Sequence, residues 1–212
     1  MRTALVLGAT GLTGSAILQQ LLQDENYSSV IIITRKNTGI SHPKLKEIPM
    51  DPVTVVSSDR LPDHVDTLFS CLGTTRKKTP DLNLYRQIEL AIPVKVVQES
   101  LKRGLEKVHF ISAIGANPES GNFYLAIKGE AENALSKLPI PFLHIYRPSL
   151  IEGKRAEKRW VEVLFSKIMY IINFTLIGSL KKYRSVKAST ISNTMIDQDL
   201  TKSSSQKSIH YF

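Results

Sequence analysis

Three residues that together can hold a substrate oxygen and move a proton onto it occur in order along this chain: Ser112, Tyr124 and Lys128. A tyrosine and a lysine four positions apart share one face of a helix. An ammonium beside a phenol favours the phenolate, so Lys128 is expected to draw Tyr124 down from about 10 toward working pH. Tyr124 would then exchange a proton with the substrate oxygen while Ser112 hydrogen-bonds it. YxxxK spacing is common by chance, and the competing expectation is a helix that packs Tyr124 and exposes Lys128.

The trio gains weight from the first turn of the chain, Gly8-Ala9-Thr10-Gly11-Leu12-Thr13-Gly14. It follows an apolar run, Thr3 to Leu7, and precedes an amphipathic one. A strand handing over to a helix through a GxxGxxG turn gives a tight bend, close backbone approach to an anion, and a helix packed hard on its strand. The helix head offers unpaired N–H groups and a partial positive charge to a diphosphate. About 20 residues beyond the last glycine, a carboxylate would select a free ribose 2′-hydroxyl. This chain has Ile33-Thr34-Arg35-Lys36 there instead. Arg35 can fork onto a 2′-phosphate, with Lys36 or Thr34 assisting, which favours NADP over NAD. Otherwise Arg35 and Lys36 are simply solvated at a strand tip.

The elements that must position these groups alternate. Thr3 to Leu7 reads as the first strand, Gly14 to Leu22 as the first helix, and Val30 to Thr34 as the second strand, apolar on both faces. A short third strand ends at Met50-Asp51, before Pro52. Asp66 to Leu72 is the fourth, and a long helix over Leu84 to Arg103 is kinked by Pro93 and closed by Gly104. Val108 to Ser112, a helix over Phe123 to Lys137, and Phe142 to Tyr146 follow, then a helical basic cap, with Ile209 to Phe212 as a last edge strand. Such alternation predicts an α/β domain around a doubly wound parallel sheet, spanning residues 1–212, with 153–212 on the substrate side. Ser112 falls at a strand's C-terminal end, where open α/β sheets place ligands.

Composition narrows the setting. With 212 residues, 42% of them hydrophobic, the chain can bury a full core. A single cysteine, Cys71, excludes an internal disulfide, and is read as packing rather than as a nucleophile. No secretory signal is read at the N-terminus, and a cytoplasmic location is expected. The net charge of +9 is concentrated from Lys154 onward, where eleven basic residues face four acidic ones. That surplus suits an anionic small-molecule substrate, a phosphate-rich cofactor or a peripheral membrane contact; a solvated basic face is the alternative. No specific nucleic-acid partner is expected. Trp160 to Gly178 is apolar but interrupted by Glu162, Lys167 and Asn173, which argues against a spanning helix. His42, His64, His109, His144 and His210 show no metal-ligand spacing; His109 and His144 are expected inside strands as core residues.

The segments GATGLTG, TRK, CLGTTR, ISAIGA, YLAIKGEAE and YRPSLI, in that order, resemble the atypical short-chain dehydrogenase/reductase superfamily. Within it the chain is most similar to the Tat-interacting oxidoreductase-like branch and its bacterial relatives, from Met1 to about Gly153. The resemblance implies an NAD(P)-binding Rossmann fold and a Ser-Tyr-Lys site. It assigns Ser112 to polarising the carbonyl, Tyr124 to general acid/base work and Lys128 also to anchoring the nicotinamide ribose. Cys71, Leu72, Gly73, Thr74, Thr75 and Arg76 would line the cofactor, Met50 and Asp51 would flank the adenine, and the backbone after Pro148 would meet the nicotinamide. The chain departs from the pattern at Ala113-Ile114, where relatives often carry a second serine followed by lysine. No asparagine is identified to complete the proton relay. The functions to separate are therefore an oxidoreductase, an NADP-sensing binding protein without turnover, and a nucleotide-sugar epimerase. The last is disfavoured by the roughly sixty residues left after the sixth strand for a sugar-binding domain.

Overall fold

A computed structural model describes residues 1–49, 61–152, 184–201 and 205–212. Its main sheet contains β1 (Arg2–Leu7), β2 (Tyr27–Thr34), β3 (Leu45–Pro49), β4 (Thr67–Ser70), β5 (Lys107–Ile111), β6 (Phe142–Arg147) and β9 (Lys207–Tyr211). They lie in the order β3-β2-β1-β4-β5-β6-β9, and every pairing is parallel. The chain winds outward from β1 to β3, then returns to β4 on the other side of β1. A crevice therefore opens between the C-terminal ends of β1 and β4, at the point where the winding reverses. A small second pair joins β7 (Ile151–Glu152) to β8 (Val186–Lys187).

Central strands buried on both faces need apolar residues at every position, and β1 ends Ala4, Leu5, Val6, Leu7, none more than 1% exposed. Leu5 and Leu7 face a cluster with Val96, Val97, Phe110 and Leu135. Ala4 and Val6 face the other way, against Ile17, Leu18, Leu21, Ile191 and Met195. The first cluster is covered by α3 (Ile92–Leu101) and α4 (Phe123–Ser136), the second by α1 (Leu12–Gln23) and α5 (Ala188–Leu200). Truncating one of these leucines to alanine costs about 2–5 kcal/mol, because close-packed neighbours collapse only partly into the cavity.

The helix expected over Leu84 to Arg103 has three parts: α2 (Leu82–Arg86), a π turn (Gln87–Ala91) and α3. Pro93 carries no N–H for the carbonyl four residues before it, that of Glu89, and the ladder widens one turn ahead of the proline. Asp81 caps α2 by accepting the N–H groups of Asn83 and Leu84. Gly104 closes α3 with φ of +84°, as a residue without a Cβ does at low cost.

The chain's last described segment completes the sheet. Gln20 on α1 donates to Ser192 and Asn193 on α5, each at 2.9 Å, and β9 extends the sheet where an edge strand was expected. Near the C-terminal end of α5, buried Asp199 gathers the strand starts: Arg2 at 2.8 Å, Thr67 at 2.8 Å, Tyr27, and the His109 ring at 3.3 Å. These partners hold its carboxyl below the ordinary carboxylate range despite burial. His109 and His144 are core residues, as expected, stacked at 4.9 Å, with His210 on β9 stacking on His144 at 5.5 Å. Trp160 to Gly178, and with it most of the expected cap, lies outside the described residues; among those described, no helix is long and apolar enough to cross a membrane.

Candidate active site

A cavity of about 870 Å³ opens at the crevice. One wall is the glycine turn. Gly8 adopts φ of +77°, and a Cβ there would lie 2.6 Å from the Cys71 carbonyl oxygen; one on Gly14 would lie 2.1 Å from the Gly8 oxygen. Glycine at both positions lets β1, β4 and the head of α1 close on each other. Gly11 sits at the N-cap with no side chain capping the helix, and Thr10, Gly11, Leu12 and Thr13 all line the cavity. Amides without a side-chain cap at an open helix head suit a diphosphate, so the residues present fit a dinucleotide.

Ser112, Tyr124 and Lys128, the trio expected to move a proton, line this cavity too. Ser112 follows β5 and is anchored by its N–H to the Tyr146 carbonyl at 2.7 Å; Ile114 likewise reaches the Pro148 carbonyl at 2.9 Å, which brings Pro148 to the rim. Asn122 caps α4, accepting the N–H groups of Tyr124 and Leu125. The loop after β5 crosses α4 at Gly129, where a Cβ would lie 2.3 Å from the Pro118 nitrogen. That close crossing draws α4 in beside β5. Ser112, Tyr124 and Lys128 line the same cavity as Leu72, Gly73, Thr74, Thr75 and Pro148. Arg35 and Lys36 are exposed just beyond β2, at the sheet end that carries the glycine turn, and do not line the cavity. Met50 and Asp51 lie outside the described residues.

Two carboxylates were missed in the sequence reading. Glu89, on the π turn and 1% exposed, holds Lys128 in an ion pair at 2.8 Å with one oxygen and accepts the Thr74 N–H at 2.6 Å with the other. Lys128 is 3% exposed, donates also to the Ile111 carbonyl at 2.9 Å, and lies 5.1 Å from the Phe110 ring centroid. Burial alone would favour a neutral amine, but Glu89, joined by Tyr124 and Glu132, outweighs it and raises Lys128 above its ordinary value. Glu132, one helical turn beyond Lys128, accepts the Ser112 hydroxyl at 2.5 Å and the guanidinium of Arg147 through two nitrogens, at 2.9 and 2.5 Å. The signals available were the i, i+4 spacing of Lys128 and Glu132, and a glutamate one turn ahead of a helix proline.

These carboxylates change two expected roles. Burial pushes the Tyr124 phenol above its ordinary value; the Lys128 ammonium pulls the other way but is offset by Glu89. The expectation of a phenol drawn toward neutral pH is corrected: Tyr124, 37% exposed at the cavity mouth, stays protonated. The Ser112 proton points to Glu132 instead of being free for a substrate carbonyl. Cys71, half-buried in the lining, is held as a thiol, pushed up to about 12 by burial, which fits packing and not nucleophilic attack.

A family model for NAD-dependent epimerases and dehydratases matches residues 4–206. The mitochondrial protein FMP52 of Kluyveromyces lactis is 32% identical over 174 residues, 78% of this chain and 75% of its own. HTATIP2 of Rattus norvegicus is 27% identical over 172 residues, 78% of this chain and 69% of its own. A UDP-glucuronic acid 4-epimerase from Bacillus cereus, solved with NAD, superposes with a TM-score of 0.69 at 16% identity, covering 99% of this chain and 77% of that one; the likeness is one of fold. The cytoplasmic location expected from the sequence is corrected by these relatives, several of which are mitochondrial proteins by name. A parallel sheet that reverses at β1, an uncapped helix head over a cavity, and a family match over nearly the whole length lead to one assignment: the chain belongs to the NAD-dependent epimerase/dehydratase family.

Proposed function

We propose that the chain is an NADP(H)-dependent oxidoreductase acting on a small carbonyl or alcohol through Ser112, Tyr124 and Lys128. One observation carries the reading: a single cavity is lined both by the glycine turn and by Ser112, Tyr124 and Lys128. A reduced nicotinamide held there would supply the hydride for the carbonyl carbon. Tyr124, held protonated, donates its phenolic proton to the oxygen, and the alcohol leaves. Lys128, kept charged by Glu89, steadies the phenolate that remains until solvent returns the proton. Ser112 offers oxygen lone pairs to the forming hydroxyl while its own proton is directed at Glu132.

The preference for NADP rests on Arg35 and Lys36 standing where a ribose-binding carboxylate would otherwise stand. NADPH and NADH titrations decide it: Arg35→Ala should weaken NADPH binding at least tenfold more than NADH binding, and equal losses would remove the assignment. For catalysis, the protein is screened with NADPH against aldehydes, ketones and quinones, with Tyr124→Phe as control. Turnover abolished in that variant supports the enzyme. The engaged proton of Ser112 and the offset charge of Lys128 favour a second reading, an NADP-binding regulatory protein without turnover. NADPH binding with no reduction, unchanged by Tyr124→Phe, would decide for it.

A further inference from the structure

Among the described residues, one cation of the cavity lining, Arg76, stands without a carboxylate partner. Glu89 is committed to Lys128 and the Thr74 amide, and Glu132, behind Ser112, to the Arg147 fork. Arg76 lines the same cavity, and among the described residues no carboxylate pairs with it. Its guanidinium carbon instead sits over the Phe123 ring, 5.4 Å from the centroid. A ring contact of this kind consumes none of the five N–H donors of an arginine, and it stiffens the side chain that carries them.

The resemblance would set Arg76 along the cofactor with Leu72 to Thr75, but its contacts turn it toward the head of α4 and away from the glycine turn. The loop after β4 starts against Gly8, where the Cys71 carbonyl blocks any Cβ. It then moves away from α1: the Thr74 amide is held by Glu89, and the Thr74 carbonyl accepts the Tyr85 hydroxyl at 3.4 Å. Two residues later Arg76 reaches Phe123, which packs on Tyr85 with centroids 5.7 Å apart. Phe123 immediately precedes Tyr124 at the head of α4, on the sheet face opposite α1. Phe123, Tyr124 and Leu150, each between 37% and 39% exposed, supply apolar surface beside it.

We propose that Arg76, laid on Phe123, is an anion subsite that selects an oxo acid: a carbonyl compound whose carboxylate Arg76 forks while its carbonyl meets Tyr124. The substrate class rests on the oxidoreductase reading above, and the experiment separates the two. Phenylglyoxylate and 2-oxobutyrate are compared with their neutral methyl esters in NADPH-dependent reduction by the full chain, wild type and Arg76→Gln. NADPH affinity is measured for both proteins by fluorescence, and phenylglyoxylate binding to the NADP⁺-loaded protein by calorimetric titration. A charge-assisted fork predicts that Arg76→Gln lowers the acid-to-ester ratio of kcat/KM, and weakens phenylglyoxylate binding, about 10- to 100-fold. NADPH affinity should change less than twofold, and Arg76→Lys, which keeps charge without the fork, should recover only part. An NADPH affinity that falls as far as acid binding would make Arg76 a cofactor ligand and overturn the proposal. So would acids and esters handled alike by the wild type, or phenylglyoxylate that does not bind it. Arg76-dependent phenylglyoxylate binding without reduction of any compound would support the subsite and refute the oxidoreductase reading.

Discussion

Replacing Glu89 by glutamine isolates one charge, because the amide oxygen of the substituted side chain can still accept the Thr74 N–H. At 2.8 Å, with an effective dielectric near 20, Glu89 and Lys128 attract by roughly 6 kcal/mol. Most of that offsets the desolvation of two groups that are 1% and 3% exposed. Removing one partner leaves an uncompensated buried ammonium, and such breaks cost about 3–5 kcal/mol. Domains of this kind hold only about 5–15 kcal/mol in total. With an m-value of about 2 kcal/mol/M, the urea midpoint of Glu89→Gln at pH 7 should drop by about 2 M. The pH dependence gives a second check. Lys128 is raised above its unfolded value in the wild type, so its contribution is complete below about 10.5 and is lost only as pH rises through the folded value. In the variant the unpaired amine is depressed, so the variant regains stability between pH 7 and 10 and the gap to wild type narrows. Adding Lys128→Met to Glu89→Gln should restore most of the loss, since an uncharged pair replaces an uncompensated buried ammonium. A Glu89→Gln midpoint within about 0.5 M of wild type, or a double variant no more stable than the single, would refute the reasoning.

Gly14→Ala puts a Cβ 2.1 Å from the Gly8 oxygen, so the turn must open; NADPH affinity measured by fluorescence should fall more than tenfold, with about 1–3 kcal/mol of stability lost. Asp199 is depressed in the fold, so its contribution is present above about pH 3.9 and fades as pH falls; Asp199→Asn should lose about 3 kcal/mol at pH 7, and urea curves should show the difference closing below pH 4. His109, His144 and His210 are all depressed by burial, His144 to about 3, so wild-type stability should decline as pH falls below about 6.5. Each neutral histidine contributes a slope of up to about 1.4 kcal/mol per pH unit, and His144→Gln should remove one of them in urea titrations between pH 6 and 4.

The sheet and the glycine turn were legible because their causes are local. Doubly buried strands demand unbroken apolar runs, and a turn that admits no Cβ at Gly8 and Gly14 leaves glycine in the sequence. Ser112, Tyr124 and Lys128 were legible from spacing combined with a strand end. Their electrostatics were not, because the deciding partner of Lys128 lies 39 positions away, on a turn whose widened geometry follows from Pro93. Considering Lys128 alone made Tyr124 look acidic; a carboxylate brought in by tertiary packing reverses the sign. The helix expected over Leu84 to Arg103, kinked by Pro93, is interrupted ahead of that proline by a π turn, which periodicity does not register. The sixth strand and the closing edge strand were read correctly, but nothing in the basic C-terminal segment announced that Asp199 would tie the starts of β1, β2 and β4 together.

The widened turn between α2 and α3 has a consequence for how this molecule could be tuned. A single carboxylate there accepts the Thr74 amide of the loop after β4 with one oxygen and pairs with the Lys128 amine with the other. On the reading proposed above, that loop and the Lys128 amine share a mechanical joint, so substitutions that shift the turn by a fraction of an ångström would alter ligand affinity and proton handling together. A variant improved in one alone would have to be sought elsewhere in the fold.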